Sequence, residues 1–226
     1  MSVVNHFSDP DVVARYRDGP PRQVPGFADL HRMTELLLAE RTPEDGRVLV
    51  LGAGGGLELE HLAAAHPGWT FDGVDPSAEM LRLAAATTEP FADRIRLHEG
   101  YIGDAPAGPF DAAVSLLTLH FIPGEERLAT LQELRRRLAP GAPLVVAHHS
   151  FPSQPPEGDT WLARYAAYAV GSGLPAERMQ GAAAAMRERL PVLSPEEDEA
   201  LLREAGFGDV SLFYAALTFR GWVAYA

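Results

Sequence analysis

The residues best placed by type and spacing to do chemistry begin with Gly52-Ala53-Gly54-Gly55-Gly56. Small residues in a row let a backbone turn sharply and let a ligand approach where a Cβ would clash. The run directly follows Val48-Leu49-Val50-Leu51 and opens a helical pattern through Leu57, Leu59 and Leu62. Its N–H groups and the positive end of that helix would therefore face a bound molecule. Asp75 closes the next apolar run, Phe71 to Val74, 23 positions after Gly52. A carboxylate there can accept hydrogen bonds from both hydroxyls of a ribose. Either feature alone also reads as plain architecture, the glycines as a strand-to-helix corner and Asp75 as a helix cap. Together, on adjacent strand ends, they point to a nucleoside. A dinucleotide fingerprint needs a third glycine where Leu57 stands, and no Gly-Lys-Ser/Thr follows to make a phosphate loop.

Three histidines fall at the same edge of the expected sheet. His120 follows the fourth strand, and His148 and His149 end the fifth. A histidine of near-neutral pKa could remove a proton from an acceptor, which makes His120 and His149 the candidate catalytic bases. Side chains alternate along a strand, so one of His148 and His149 at most should face the pocket, and the two cannot share a metal. Each histidine can equally be a satisfied core residue. His61 and His66 read as surface. Trp161, Tyr165 and Tyr168 recur at helical spacing, either as core or as a lid over substrate. With His148, Trp161 and Tyr165 are the candidate substrate contacts. Arg135-Arg136-Arg137 reads as a solvated basic face at a helix end.

These residues need elements to position them. Apolar runs at Val48–Leu51, Phe71–Val74, Ile95–His98, Phe110–Leu116 and Pro143–His148 read as strands covered on both faces. Helical stripes run between them, with Pro76 expected at the first position of the helix holding Met80, Leu81 and Ala84. A further helix is read over residues 29–40 and a turn over 42–46. Such alternation over 47–150 predicts right-handed crossovers and an α/β, doubly wound, mostly parallel seven-stranded sheet. Residues 1–28 read as an N-terminal arm with a short helix, and 151–193 as a helical cap insertion. The alanine run 182–185 suits a tight helix contact. Ser194-Pro195-Glu196-Glu197 starts a helix that Gly206 ends. Val210–Tyr214 and Leu217–Tyr225 complete the sheet as a C-terminal hairpin.

Composition bounds the rest. The chain has 226 residues, 46% hydrophobic and 22% charged, which fits one globular domain over 1–226. Its 19 basic against 31 acidic residues give a net charge of −12, which disfavours nucleic acid as a partner. There is no cysteine, so thiol nucleophiles, disulfides and Cys-ligated metals are excluded. No run approaches the ~18 apolar residues of a membrane span, and no basic-then-apolar leader opens the chain. The expected setting is cytoplasmic, with a small-molecule partner, no metal, and a homodimer as the assembly to test.

Val48-Leu49-Val50-Leu51-Gly52-Ala53-Gly54-Gly55-Gly56, Gly73-Val74-Asp75-Pro76-Ser77 with Met80-Leu81, Phe110-Asp111 with Val114, and Leu138 with Pro140-Gly141 and Leu144-Val145 recur in order. In this, residues 47–150 resemble the class I S-adenosylmethionine-dependent methyltransferases. A fainter, full-length likeness to the carboxy-S-adenosylmethionine synthase branch rests on Val24-Pro25-Gly26-Phe27, Thr118-Leu119-His120-Phe121 and Ala205-Gly206-Phe207. The resemblance implies S-adenosylmethionine as cofactor and S-adenosylhomocysteine as product. It implies that Gly52, Ala53, Gly54 and the loop through Gly56 meet the methionine part, and that Asp75 and Pro76 meet the ribose. Met80 would flank the adenine, Tyr101 and Ile102 would sit at its edge, Phe27 would touch the cofactor, and Leu116 would lie beside the sulfonium. It also implies an arm folded over the cofactor and a cap over the substrate.

The sequence departs from both patterns. Val50 stands where many methyltransferases carry an acid, and Tyr101 where the adenine edge usually has Asp, with Asp104 nearby. The synthase branch has Asn at the Leu116 position and a cap arginine for its product's extra carboxylate. Here Ala183 falls at that place, with Arg178, Arg187 and Arg189 near but unaligned. A bound carboxylate without a cation is costly. The expected reaction is therefore plain methyl transfer to a small molecule. The synthase reaction in tRNA wobble-uridine modification, or non-catalytic binding of S-adenosylmethionine, stands as the alternative.

Overall fold

The computed structural model describes residues 16–226; the earlier part of the expected arm lies outside them. Seven strands form one sheet in the order β3-β2-β1-β4-β5-β7-β6: β1 (Arg47–Leu51), β2 (Thr70–Asp75), β3 (Ile95–Glu99), β4 (Ala112–Leu116), β5 (Pro143–His149), β6 (Gly208–Ala216) and β7 (Phe219–Tyr225). The first five run parallel, and β7 pairs antiparallel with both β5 and β6. The helices are α1 (Pro20–Gln23), α2 (Phe27–Ala39), α3 (Leu57–Ala65), α4 (Ala78–Thr87), α5 (Gly124–Arg137), α6 (Glu157–Gly171), α7 (Ala176–Arg189) and α8 (Pro195–Glu204). The expected α/β sheet and its closing hairpin are both present.

Alternation along β1 shows why the sheet is doubly covered. Val48 and Val50 pack with Leu30 and Leu38 of α2 and Leu59 and Leu62 of α3. Leu49 and Leu51 pack on the other face with Leu131 and Leu134 of α5 and Leu202 of α8. Strand order reverses between β1 and β4, each of which exits toward a different face, and ligands bind doubly wound sheets at such a switch point.

Several local readings are corrected. Pro76 does not open α4; Ser77 caps it, accepting from Met80 N at 3.2 Å. The helix read over 29–40 starts two residues earlier, at Phe27, and ends at Ala39. Leu217 lies in a turn with φ of +52°, not in β7, and lets β6 and β7 reverse within two residues. Arg137 of the expected solvated run is buried, pairing with Glu133 and reaching Gly103 O at 3.4 Å. His66 stacks on Trp69 at 3.8 Å and pairs with Glu35, and His61 is half-buried beside His31.

One buried ion pair joins the two ends of the chain's second half. Arg127, wholly buried in α5, meets Asp198 of α8 at 2.5 Å. It also donates to Ile122 O at 3.0 Å and Pro191 O at 2.8 Å. His148 Nε2 lies 3.2 Å from the other Asp198 oxygen. Burial pushes the Asp198 carboxyl up, but His148, Arg127 and its hydrogen bonds outweigh that and hold it below the ordinary range. Stability from this group is therefore present above the ordinary carboxyl pKa and lost as pH falls through the lowered one. R127M should cost about 3–5 kcal/mol in denaturant unfolding, because it strands a buried carboxylate. R127M/D198N should cost less than R127M alone.

Candidate active site

The glycine loop is shaped by what lies around it. Gly52 N and Ala53 N donate to Val74 O at 2.8 and 3.0 Å, tying the end of β1 to the end of β2. Gly52 has φ of +78°, and a Cβ there would overlap the Thr118 hydroxyl, which itself donates to Leu116 O at 3.0 Å. Gly54 N donates to Asp75 Oδ2 and Ser77 N to Asp75 Oδ1, both at 2.9 Å. Each oxygen keeps a further lone pair, so Asp75 can hold the loop and still accept from a ligand.

Beside this loop opens a cavity of about 470 Å³, a size that suits a nucleoside with a short side chain. Gly52, Gly54, Asp75, Pro76, Met80, Tyr101, Ile102 and Leu116 line it. Eight of the eleven residues expected at the cofactor thus converge on one site. The other three do not line it. Ala53 is buried under the loop, Gly56 backs onto Ala84 of α4, and Phe27 packs on His31 at 4.4 Å. The wall also uses Tyr16, Thr118, Phe121, Ile122, Glu126 and Thr130, which sequence reasoning missed as site residues. Tyr16 lies against Gly54 and Gly55, a contact across the chain that no local pattern signals. Thr118 and Phe121 belonged to a recognised motif whose contacts with the cavity were not foreseen.

Charge in the site is set by burial. Asp75 is pushed up by burial, partly offset by the N–H groups of Ser77 and Gly54. Glu58, buried in the first turn of α3, is pushed up to about 8 by burial, against its own backbone hydrogen bond and with help from the Asp75 charge. Glu58 is thus mostly protonated at neutral pH. Burial also raises the Tyr16 phenol, and the Glu58 and Asp75 charges add to this.

The three histidines stand apart from the cavity, His120 and His149 on one face of the sheet and His148 on the other. None of them lines the cavity, nor do Trp161 and Tyr165. His120 packs on Phe121, a wall residue, at 4.2 Å and edge-on to His149 at 4.9 Å. His149 N donates to His120 Nδ1 at 3.4 Å, and His149 Nδ1 meets Thr218 Oγ1 at 2.9 Å. His149 stacks on Phe219 at 4.0 Å, with Tyr165 edge-on at 5.3 Å. Burial drives His120 well below the ordinary range and His149 to about 3, and neighbouring histidines add to both shifts. His148 faces the opposite side of the sheet, beside Asp198 and Trp222, as strand alternation requires. Tyr165 is buried and donates to Gln23 Oε1 at 2.8 Å, while Tyr214 donates to Pro25 O at 2.5 Å. These two bonds strap the α1 segment between α6 and β6. Trp161 is half-buried, with Arg164 over its ring at 4.6 Å. Among the described residues, no group of His, Asp and Glu is placed to hold a metal, and no helix is long and apolar enough to cross a membrane.

Strand order, glycine loop and the acid that ends β2 define a Rossmann-like methyltransferase fold. A methyltransferase-domain family model matches residues 49–144. The chain is 30% identical to the carboxy-S-adenosyl-L-methionine synthase of Chromohalobacter salexigens, over 99% of this chain and 84% of that one. In structure it is similar to an O-methyltransferase family protein from Burkholderia thailandensis (TM-score 0.70, 14% identity, 98% of this chain and 61% of that one). It is also similar to a SAM-dependent methyltransferase from Aquifex aeolicus (TM-score 0.63, 19% identity, 96% and 98%). The chain belongs to the class I S-adenosylmethionine-dependent methyltransferases, nearest their carboxy-S-adenosylmethionine synthase branch.

D75A removes acceptors from two loop N–H groups and from any ribose. It should weaken S-adenosylhomocysteine binding by about 1–3 kcal/mol in calorimetry and lower the melting temperature. Unchanged affinity would reduce Asp75 to a helix cap.

Proposed function

We propose that this chain binds S-adenosylmethionine in the cavity beside the glycine loop and transfers its methyl group to a small molecule in the cytoplasm. The observation that carries the reading is the cavity itself, with Asp75 and the glycine loop on one side and apolar Leu116, Leu117, Phe121 and Ile122 on another. S-adenosylmethionine supplies an already activated methyl, so alignment by the protein does most of the work, worth roughly 7–11 kcal/mol. The apolar wall excludes water from the transfer. None of residues 151–193 lines the cavity, so the preference for a small acceptor over nucleic acid rests on the net charge of −12.

The full-length likeness to carboxy-S-adenosyl-L-methionine synthases favours a second reading, in which the cofactor is carboxylated. Against it, no arginine lines the cavity among the described residues. Of the cap arginines, Arg187 pairs with Asp159 at the surface. A product carboxylate would then lack a cation to hold it.

His120 and His149 stand one layer behind the wall, as the proposed source of a base if the acceptor must lose a proton. Because His149 is held near 3, its neutral form is complete well below neutral pH. A base of this kind should give turnover that stays flat from about pH 5 upward, where an ordinary histidine gives a rising limb near pH 6.5. H149A should lower turnover with little change in cofactor affinity, and equal turnover would remove it from the chemistry.

The nucleoside that copurifies with the protein, released by denaturation and identified by mass spectrometry, separates the readings. S-adenosylmethionine or S-adenosylhomocysteine supports methyl transfer, and carboxy-S-adenosylmethionine supports the synthase reading. If none is present, and none binds in calorimetry, the cofactor assignment falls.

A further inference from the structure

We propose that Glu126 is the residue that selects the base of the bound nucleoside, accepting a hydrogen bond from the exocyclic amino group of adenine; this rests on the cofactor reading above. Two carboxylates line the cavity among the described residues, Asp75 and Glu126. Asp75 is committed to the loop and the ribose side. Glu126 lies in the first turn of α5, within the same lining as Tyr101 and Ile102 at the exit of β3. The Ile102–Asp104 turn packs against the far end of α5, where Arg137 reaches Gly103 O, so Glu126 shares the cavity with Tyr101 and Ile102 without touching that turn through Arg137.

The other polar groups on this side are spent or neutral. Asp104 does not line the cavity; its carboxylate turns back to accept from Tyr101 N at 2.9 Å. Tyr101 offers a phenol and is 62% exposed. The Thr130 hydroxyl donates to Glu126 O at 2.8 Å, so its proton is used within the helix. Glu126 has no ion-pair partner among the described residues. An ionised carboxylate is acceptor-only, so it favours a base carrying an amino donor and opposes one carrying a carbonyl at the same place.

The test measures binding of S-adenosylhomocysteine and S-inosylhomocysteine to the full chain by calorimetry, in wild type, E126Q and E126A. Wild type should prefer the adenine ligand by about tenfold or more, the scale of one charge-assisted hydrogen bond at a partly wet site. E126Q, whose amide both donates and accepts, should shrink that preference by about tenfold, with a melting temperature equal to wild type. E126A should weaken the adenine ligand alone. An unchanged preference in E126Q, with both ligands still bound, overturns the assignment and leaves the cofactor reading standing. Binding of neither ligand by wild type overturns both.

Discussion

The carboxylate of Asp75 is the constraint on which the site depends. It fixes Gly54 with one oxygen and Ser77 with the other, so a single side chain sets the loop after β1 and the start of α4 together. The geometry works only because Gly52 lacks a Cβ where Thr118 crosses, and because Gly52 and Ala53 reach Val74 O across the sheet. Those contacts bring the ends of β1, β2 and β4 to one point, and the cavity is what remains between them. The acid is thus a structural clamp that also lines the cavity, which is why its substitution is expected to act on both stability and affinity.

The sequence made the sheet legible because each buried strand is a short, nearly unbroken apolar run and each helix carries its own stop or start signal. Ser194 with Glu197 capped α8 as expected. Where two signals competed, the side chain won over the ring: Pro76 suggested a helix start, but the Ser77 hydroxyl supplies the cap one residue later. The glycine loop and Asp75 were legible as a pair because their chemistry is tied to fixed places in the fold. Tyr16, Glu126 and Thr130 were not, because they enter the wall from elements remote in sequence, and nothing local marks a side chain that will face a cavity formed elsewhere. The histidines show the opposite limit. Their position at the strand ends was readable, but their protonation depends on burial among one another, which no spacing encodes.

That burial changes what the histidine layer can be. Three imidazoles close together in water would share charge as pH falls. Here two of them are held neutral by desolvation and by each other, with Thr218 and a backbone N–H as partners. The layer is a polar floor directly behind Phe121 of the cavity wall. Asp198 and Arg127 meet His148 on the far face of the sheet, so the ionic and the neutral halves of this polar core are kept apart by strand alternation alone.

The residues that carry α6 and α7 leave and rejoin the fold at one narrow neck. Phe151 N donates to Leu193 O at 3.1 Å, just beyond the end of β5 and just before the cap of α8. With its two ends already stapled, the intervening chain can change length at an entropic cost that grows only slowly. The helices between are thus a closed loop in the chain's connectivity, whose outer turns can vary in length while buried Tyr165, Ala169 and Met179 keep it seated on the sheet.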